Sequence, residues 1–379
     1  MNGSITTSLR REIRVSLPQD AFVPDPRRLL RVIPHVVLIC GGSTAITIFP
    51  VPWFVALLLS VLIGNAYASV FFFGHEVGHG SVVKRAWLID AILYATMLIF
   101  LVSPHLWRIW HNQVHHGHTN VERRDPDNFG SLDEYARHRA TRWAILIAPG
   151  AGRLIGILTL FVGFTLHAQG VLWAKSRRIP GFGALRHWRA ALDSAAMLGC
   201  WIALSVRVRS AESLYIVWIP MLIANAVIMC YIFTNHLLRP LNSSNDPLET
   251  SMSVSTTRWL DWLHFNFSHH VEHHLFPTIS SEHAPGIRSR LQQLAGGHYL
   301  SPPHWRALVM LFRTPRVHIT NDRLFDPRRG ISVDVAAVDA ALRTNGGSRA
   351  MPAGPRCAPR TPSRILGGEA REQPRSQQD

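Results

Sequence analysis

The sequence predicts an all-α integral membrane protein. It has four transmembrane helices, further interfacial or re-entrant helices, and a cytoplasmic helical cap carrying a metal site. Three observations predict this. Apolar residues make up 47% of the 379 positions and charged residues only 17%, below the ~25% of ordinary soluble domains. Residues 32–74 contain no Asp, Glu, Lys or Arg, enough for two passes at ~20 residues each. Twelve of the 21 histidines crowd into residues 75–79, 105–118 and 264–274, where an even spread would leave fewer than two.

The elements follow in chain order. Residues 1–31 are polar and basic, with no short apolar core or cleavage site of a signal peptide, and read as a cytoplasmic N-terminal segment. Pro50 and Pro52 divide the uncharged stretch. The first pass then covers about 32–49 and the second about 53–73, ending directly at His75. The uncharged run 91–107 separates the first two histidine windows. If the windows form one site, they share one side of the membrane, so this run must be re-entrant or lie in the interface. An even number of crossings must likewise separate the second and third windows. Segments 190–206 and 213–233, joined by residues 207–212, make a natural hairpin, and 154–174 then lies flat or dips in. The membrane domain is thus 32–280. Residues 281–345 form the cap, and 346–379, rich in Arg, Pro, Gly, Ser and Gln, read as a disordered basic tail. The basic flanks place both termini and every histidine window on the cytoplasmic side, most naturally of a bacterial inner membrane.

Charge and cysteine narrow the class further. The net charge is +15, almost all of it Arg; only Lys84 and Lys175 are lysines. Such a balance suits nucleic acid or an anionic lipid surface. No nucleic-acid motif is present and the arginines flank apolar runs, so lipid is the expected partner. Four cysteines exclude a disulfide scaffold, and none is paired at metal-ligand spacing.

The histidines carry the chemistry. The first window reads His75-Glu76-Val77-Gly78-His79, and positions i and i+4 share a helix face, so both imidazoles can hold one metal. In His111-Asn112-Gln113-Val114-His115-His116, His111 and His115 share a face, while His116 points about 100° away, towards a second metal. In His270-Val271-Glu272-His273-His274, His270 faces both His273 and His274. His236 ends the last pass and adds a ninth imidazole. Metals of the first transition row take four to six ligands, so two ions are the economical reading. Imidazole suits Zn, Cu, Fe and Ni. Iron is favoured because lipid tails offer C–H bonds that acid–base groups do not break.

HEVGH, HNQVHH and HHVEHHLFP resemble the three histidine boxes of the membrane fatty acid desaturase superfamily in order, spacing and the trailing Leu275-Phe276-Pro277. Thr119-Asn120 and Asp125-Pro126-Asp127 match as well, and IRVSLPQDAFVPDP is similar to the lead-in of acyl desaturases. The resemblance covers roughly residues 12–280. It implies a non-haem di-iron centre that uses O2 to remove two hydrogens from a fatty acyl lipid or acyl thioester. The ligands it implies are His75, His79, His111, His115, His116, His270, His273 and His274, with His236 near the family's extra histidine. Related enzymes carry an Asn one turn before that histidine. Here that position is Ile232, and Asn235 is adjacent instead. The chain has no ferredoxin-type Cys pattern, haem motif or flavin fingerprint, so a separate donor is implied, ferredoxin or a cytochrome b5-type protein.

Other readings remain open at this point. Glu76, Asp125, Asp127, Asn235, Asn266 and Glu272 could orient the ligands or be structural. His269 doubles the third box and reads as supporting or structural, while His105, His118 and His264 lie close but off register. Trp107, Trp110, Trp259 and Trp262 read first as interfacial belt anchors. A hydroxylase or carotenoid ketolase shares the boxes. HEVGH also satisfies the H-E-x-x-H zinc protease pattern, with Glu76 as general base, although that leaves the other two boxes without a role.

Overall fold

The computed structural model describes residues 2–128, 130–150 and 152–344. The tail expected over 346–379 lies outside the described residues. Among the described residues, five helices are long and apolar enough to cross a bilayer: Pro26–Ile48, Trp53–Gly78, Ile155–Arg177, His187–Arg207 and Ala211–His236. Their central parts are labelled α2 (Ile33–Ile48), α3 (Trp53–Gly78), α6 (Ile155–Trp173), α7 (His187–Arg207) and α8 (Ile219–His236), with α1 (Asn2–Ser16) before them. Pro50 and Pro52 separate α2 from α3, as their missing N–H groups and fixed φ require.

Between α3 and α6 lie α4 (Ala86–Met97) and α5 (Pro104–His118). The chain bends by 102° between the two arms 86–100 and 104–118. Such a bend belongs to a broken span or a re-entrant segment, and the second histidine window comes back beside the first. Helix α8 packs along both α3 and α6, and α2 and α4 also pack on α3. Phe71, Phe72, Phe100, Trp107 and Phe164 meet in edge-to-face contacts at the centre of this main core.

Residues 154–174, expected to lie flat or dip in, carry the continuous helix α6, which is long and apolar enough to cross a bilayer. Both its ends are tied to other parts of the chain. Before it, Gly152 N donates to Phe312 O at 2.7 Å. After it, the Lys175 ammonium reaches the Pro126 and Asn128 carbonyls.

The third box forms α9 (His270–Leu275), and beyond it come α10 (Ala284–Leu294) and α11 (His304–Arg313). The expected all-helical cap is corrected here. A three-stranded antiparallel meander, β1 (Val317–Thr320), β2 (Arg323–Asp326) and β3 (Ile331–Asp334), precedes α12 (Val335–Arg343). Strands of four residues show too few alternations to register as a period. A second apolar core lies under α9. Leu9 and Ile13 of α1 pack there with Val271, Leu275, Ile287 and Leu291. The polar N-terminal segment is therefore an amphipathic helix that supports the third box.

Candidate metal centre

Four helices deliver the imidazoles, α8 through His236 at its end. His75 ends α3 and His79 caps it. The second box lies on α5, which becomes π-helical over Arg108–His115. An i→i+5 bond pattern widens the turn, so His111 and His116 converge, with Nε2 atoms 3.2 Å apart. This corrects the expected pairing, which sent His116 away from His111. The third box is α9 itself.

The nitrogens form two adjoining pockets. The ligand atoms of His75, His79, His111, His116 and His273 lie within 4.8 Å of one another, as do those of His115, His236 and His274. His270 Nε2 sits 2.6 Å from His236 Nε2 and 3.0 Å from His274 Nε2, completing a set of four. His111, His115 and Asp127 also gather within 4.8 Å, so the pockets abut.

These contacts fit metal better than hydrogen bonding. A ring nitrogen offers one proton or one lone pair in its plane. Yet His111 Nε2 faces both His75 Nε2 at 2.8 Å and His116 Nε2 at 3.2 Å. His116 Nε2 also faces His273 Nε2 at 3.2 Å. The buried Nε2 of His79 has no hydrogen-bond partner among the described residues. Lone pairs aimed at common points are what two cations would satisfy. Burial, and then the neighbouring imidazoles, hold His79, His270, His273 and His274 well below the usual imidazole range. They are neutral and able to ligate.

The far side of His115 is fixed. Its Nδ1 lies 3.0 Å from Asp125 Oδ1 and 3.2 Å from Asp127 Oδ2, so Nε2 turns to the pocket. Asp125 also accepts from the amides of Asn120 and Asp127. Asn120, at φ 52, donates its side-chain amide to His236 O and Thr250 O at 3.0 Å each, tying α8 to this turn. Thr119 Oγ1 stands 3.3 Å from His274 Nδ1.

The other expected supporting residues work at a distance. Glu76 accepts from Arg28, Ser280 and the Ser281 amide and hydroxyl. With both oxygens engaged, it is not free to serve as the general base of a zinc protease. Glu272 binds Ser253, Arg288 and Tyr299. Burial would raise its pKa, but Arg288 and His269 hold it below the usual carboxylate value. Asn266, at φ 57, donates to Ser281 O at 2.8 Å and shapes the turn before α9. Asn235 is fully buried, and its side-chain amide has no partner among the described residues.

Of the off-register histidines, His105 accepts from Arg186 N, His118 meets Val114 O, His264 bonds Tyr231 and Asn65, and His269 bonds Ser268. Trp107 and Trp110 are corrected from belt anchors. Both are buried, Trp107 stacks on His111 at 4.3 Å, and Trp110 donates to Asp127 at 2.7 Å. The π-helical turn draws them inward with the ligands. Trp259 and Trp262 are exposed, as anchors should be. Sequence reasoning missed His167, whose Nε2 lies 2.9 Å from Asp127 Oδ1, and Arg28. The one signal for His167 was an ionisable residue in an otherwise uncharged helix.

Apolar helices of membrane-spanning length, with imidazoles gathered where they could hold metal, define the class: a membrane protein with a candidate metal centre. The family model for fatty acid desaturases matches residues 51–305, and the chain belongs to that family. It is an oxidoreductase that desaturates acyl chains. It is 24% identical over 311 residues to the sn-1 oleoyl-lipid 12-desaturase of Arthrospira platensis, covering 78% of this chain and 84% of the relative. Over 119 residues it is 33% identical to the enzyme of that name from Anabaena variabilis, covering 31% and 33%. A chloroplastic omega-3 fatty acid desaturase of Glycine max is 24% identical over 308 residues, covering 77% and 66%.

Proposed function

We propose that this chain is an O2-dependent di-iron acyl desaturase. Its ligands are His75, His79, His111, His116 and His273 for one iron, and His115, His236, His270 and His274 for the other. The observation that carries this reading is the convergence of nine imidazoles as five and four. Iron with O2 and two external electrons supplies the oxidising power for an unactivated C–H bond. The protein's residues do the rest. Asp125 and Asp127 hold the His115 proton on Nδ1. Phe267 and Trp107 flank His75 at ring-centre distances of 5.2 and 6.0 Å, giving an apolar wall that suits a methylene chain and excludes water. Such a chain has no polar handle, so the shape of an apolar tunnel sets the bond position.

The substrate is an acyl lipid or acyl thioester. The relatives are named for acyl-lipid substrates, and one for ferredoxin. Electrons therefore come from a separate ferredoxin or cytochrome b5-type protein. The reading has four crossings, with the site on the cytoplasmic face of a bacterial inner membrane. Support comes from the 102° bend between 86–100 and 104–118, which a re-entrant segment would show, and from the Lys175 ammonium after α6, which reaches the carbonyls on either side of Asp127. Residues 1–31, 32–280 and 281–345 act as N-terminal support, membrane domain and cap.

The test combines metal analysis with lipid profiling. Purified chain should hold about two Fe, following the ligand count, and an expressing host should gain new double bonds. Both should be lost in His111→Ala and His273→Ala. One Zn per chain, or unchanged lipids with full iron, overturns the reading.

A further inference from the structure

Asp127 sits at the edge of the metal centre with more partners than its one contact to His115 requires. Its Oδ2 faces His115 Nδ1 at 3.2 Å. Its Oδ1 accepts from Trp110 Nε1 at 2.7 Å and faces His167 Nε2 at 2.9 Å. The carboxylate thus bridges an imidazole on α5 and one on α6. Lys175 stands two turns after His167. Its ammonium donates to the carbonyls of Pro126 and Asn128, the residues on either side of Asp127. Its charge also acts favourably on Asp127 and Asp125. It is one of only two lysines in a chain whose other basic residues are Arg.

Two carboxylates face a single Nδ1–H, so without further partners they would repel and the turn would open. Trp110 belongs to the same helix as His115 and cannot fix Asp127 against the rest of the fold. Among the described residues, α6 and the turn after it do that, through His167 on the side-chain oxygen and Lys175 on the flanking carbonyls.

We propose that His167 and Lys175 are positioning residues for the metal centre: they hold Asp127 so that the His115 proton stays on Nδ1 and its Nε2 lone pair faces the four-histidine pocket. This rests on the metal reading above. It gives α6 a task beyond filling the membrane domain, and it requires no direct contact between α6 and a metal.

The test uses the full chain in detergent, stripped of metal and titrated with Co(II), read by its ligand-field absorption. Wild type should show two sites. His167→Phe keeps a ring but loses the donor, and should weaken one site about 10–100-fold, as loss of an outer hydrogen-bond partner does. The other site should be unmoved. His167→Gln can place its amide nitrogen near the Nε2 position and should recover most of the loss. In an Asp127→Asn background, His167→Phe should have little further effect, because both act through one carboxylate. Lys175→Met should weaken the same site and serves if His167→Phe does not fold. Equal binding by wild type, His167→Phe and Lys175→Met overturns the proposal. So do Gln and Phe variants that are equally weak, additive effects with Asp127→Asn, or uniform weakening of both sites with a lower metal-free melting temperature. Failure of wild type to bind two Co(II) removes the metal reading and this proposal with it.

Discussion

His318 lies buried in β1, with Nε2 3.2 Å from the Arg239 carbonyl. Burial lowers its pKa from 6.5 to about 4; the bond to Arg239 opposes this and the Arg316 charge adds to it. The folded chain therefore prefers the neutral ring. That contribution is fully present above the ordinary pKa of 6.5 and is lost as pH falls from there to about 4. The loss amounts to about 3 kcal/mol at 1.36 kcal/mol per unit. His318→Gln keeps a donor near Nε2 without the titration. Melting of the two proteins in detergent should differ by a constant above pH 7, with the wild type losing ground steadily below 6.5. Parallel curves down to pH 4 would refute it. At this scale the box histidines were legible because i, i+4 spacing on a helix end is a local property. Trp107 and Trp110 were not. Their i, i+3 spacing suits a belt and a core equally, and only the wider π-helical turn decides between them. Lys175 was visible as a rarity of composition, but its carbonyl partners lie 47 and 49 residues away.

Among the helices, α3 and α8 come close together at Gly64. A Cβ there would lie 2.6 Å from Ile223 Cβ and 2.7 Å from Pro220 O. Lipid offers no hydrophobic drive between helices, so close contact at small residues is what holds such a pair. Gly64→Ala should force the helices apart and cost about 1–3 kcal/mol, as overpacking does. Gly41 on α2 has nothing within 4 Å of its Cβ position. Gly41→Ala should leave stability unchanged or raise it by up to about 1 kcal/mol through lower chain entropy. Thermal melts of the two variants side by side check this, and equal shifts would show that α3 and α8 are not in tight contact. The spans themselves were legible because an uncharged run of sufficient length is a one-dimensional signal. The continuity of α6 was not, since its Asn225 and Asp127 partners come from elsewhere in the chain. The strands of the cap are too short to leave a period at all.

Over the whole molecule, the N-terminal segment, the first histidine helix and the cap meet at one residue. Arg28 is 1% exposed and donates to Glu76 at 2.7 Å and to Ser281 Oγ at 2.7 Å, and it pairs with Glu282 at 3.4 Å. Glu76 neighbours His75, and Ser281 follows the third box, so this buried junction joins two parts of the metal centre that are 205 residues apart. Part of the junction was readable: Glu76 stood out inside HEVGH, where it offered either a protease base or a ligand support. Arg28 did not stand out among the N-terminal arginines, because its burial depends on a cap sequence far downstream. Breaking a buried pair from one side leaves the other charge without a partner and costs about 3–5 kcal/mol, whereas removing both charges costs much less. Arg28→Met should therefore lower the melting temperature strongly. Glu76→Gln should lower it less, since Ser280 and Ser281 can still bond the amide. The double variant should lie above Arg28→Met alone. Because the buried Glu76 carboxylate, left without its cation, would loosen the end of α3 beside His75, Arg28→Met should also release metal faster on dialysis against a chelator, and the double variant should recover part of that retention. A double variant as unstable as Arg28→Met would mean that packing of the long side chain, and not charge, holds the three parts together.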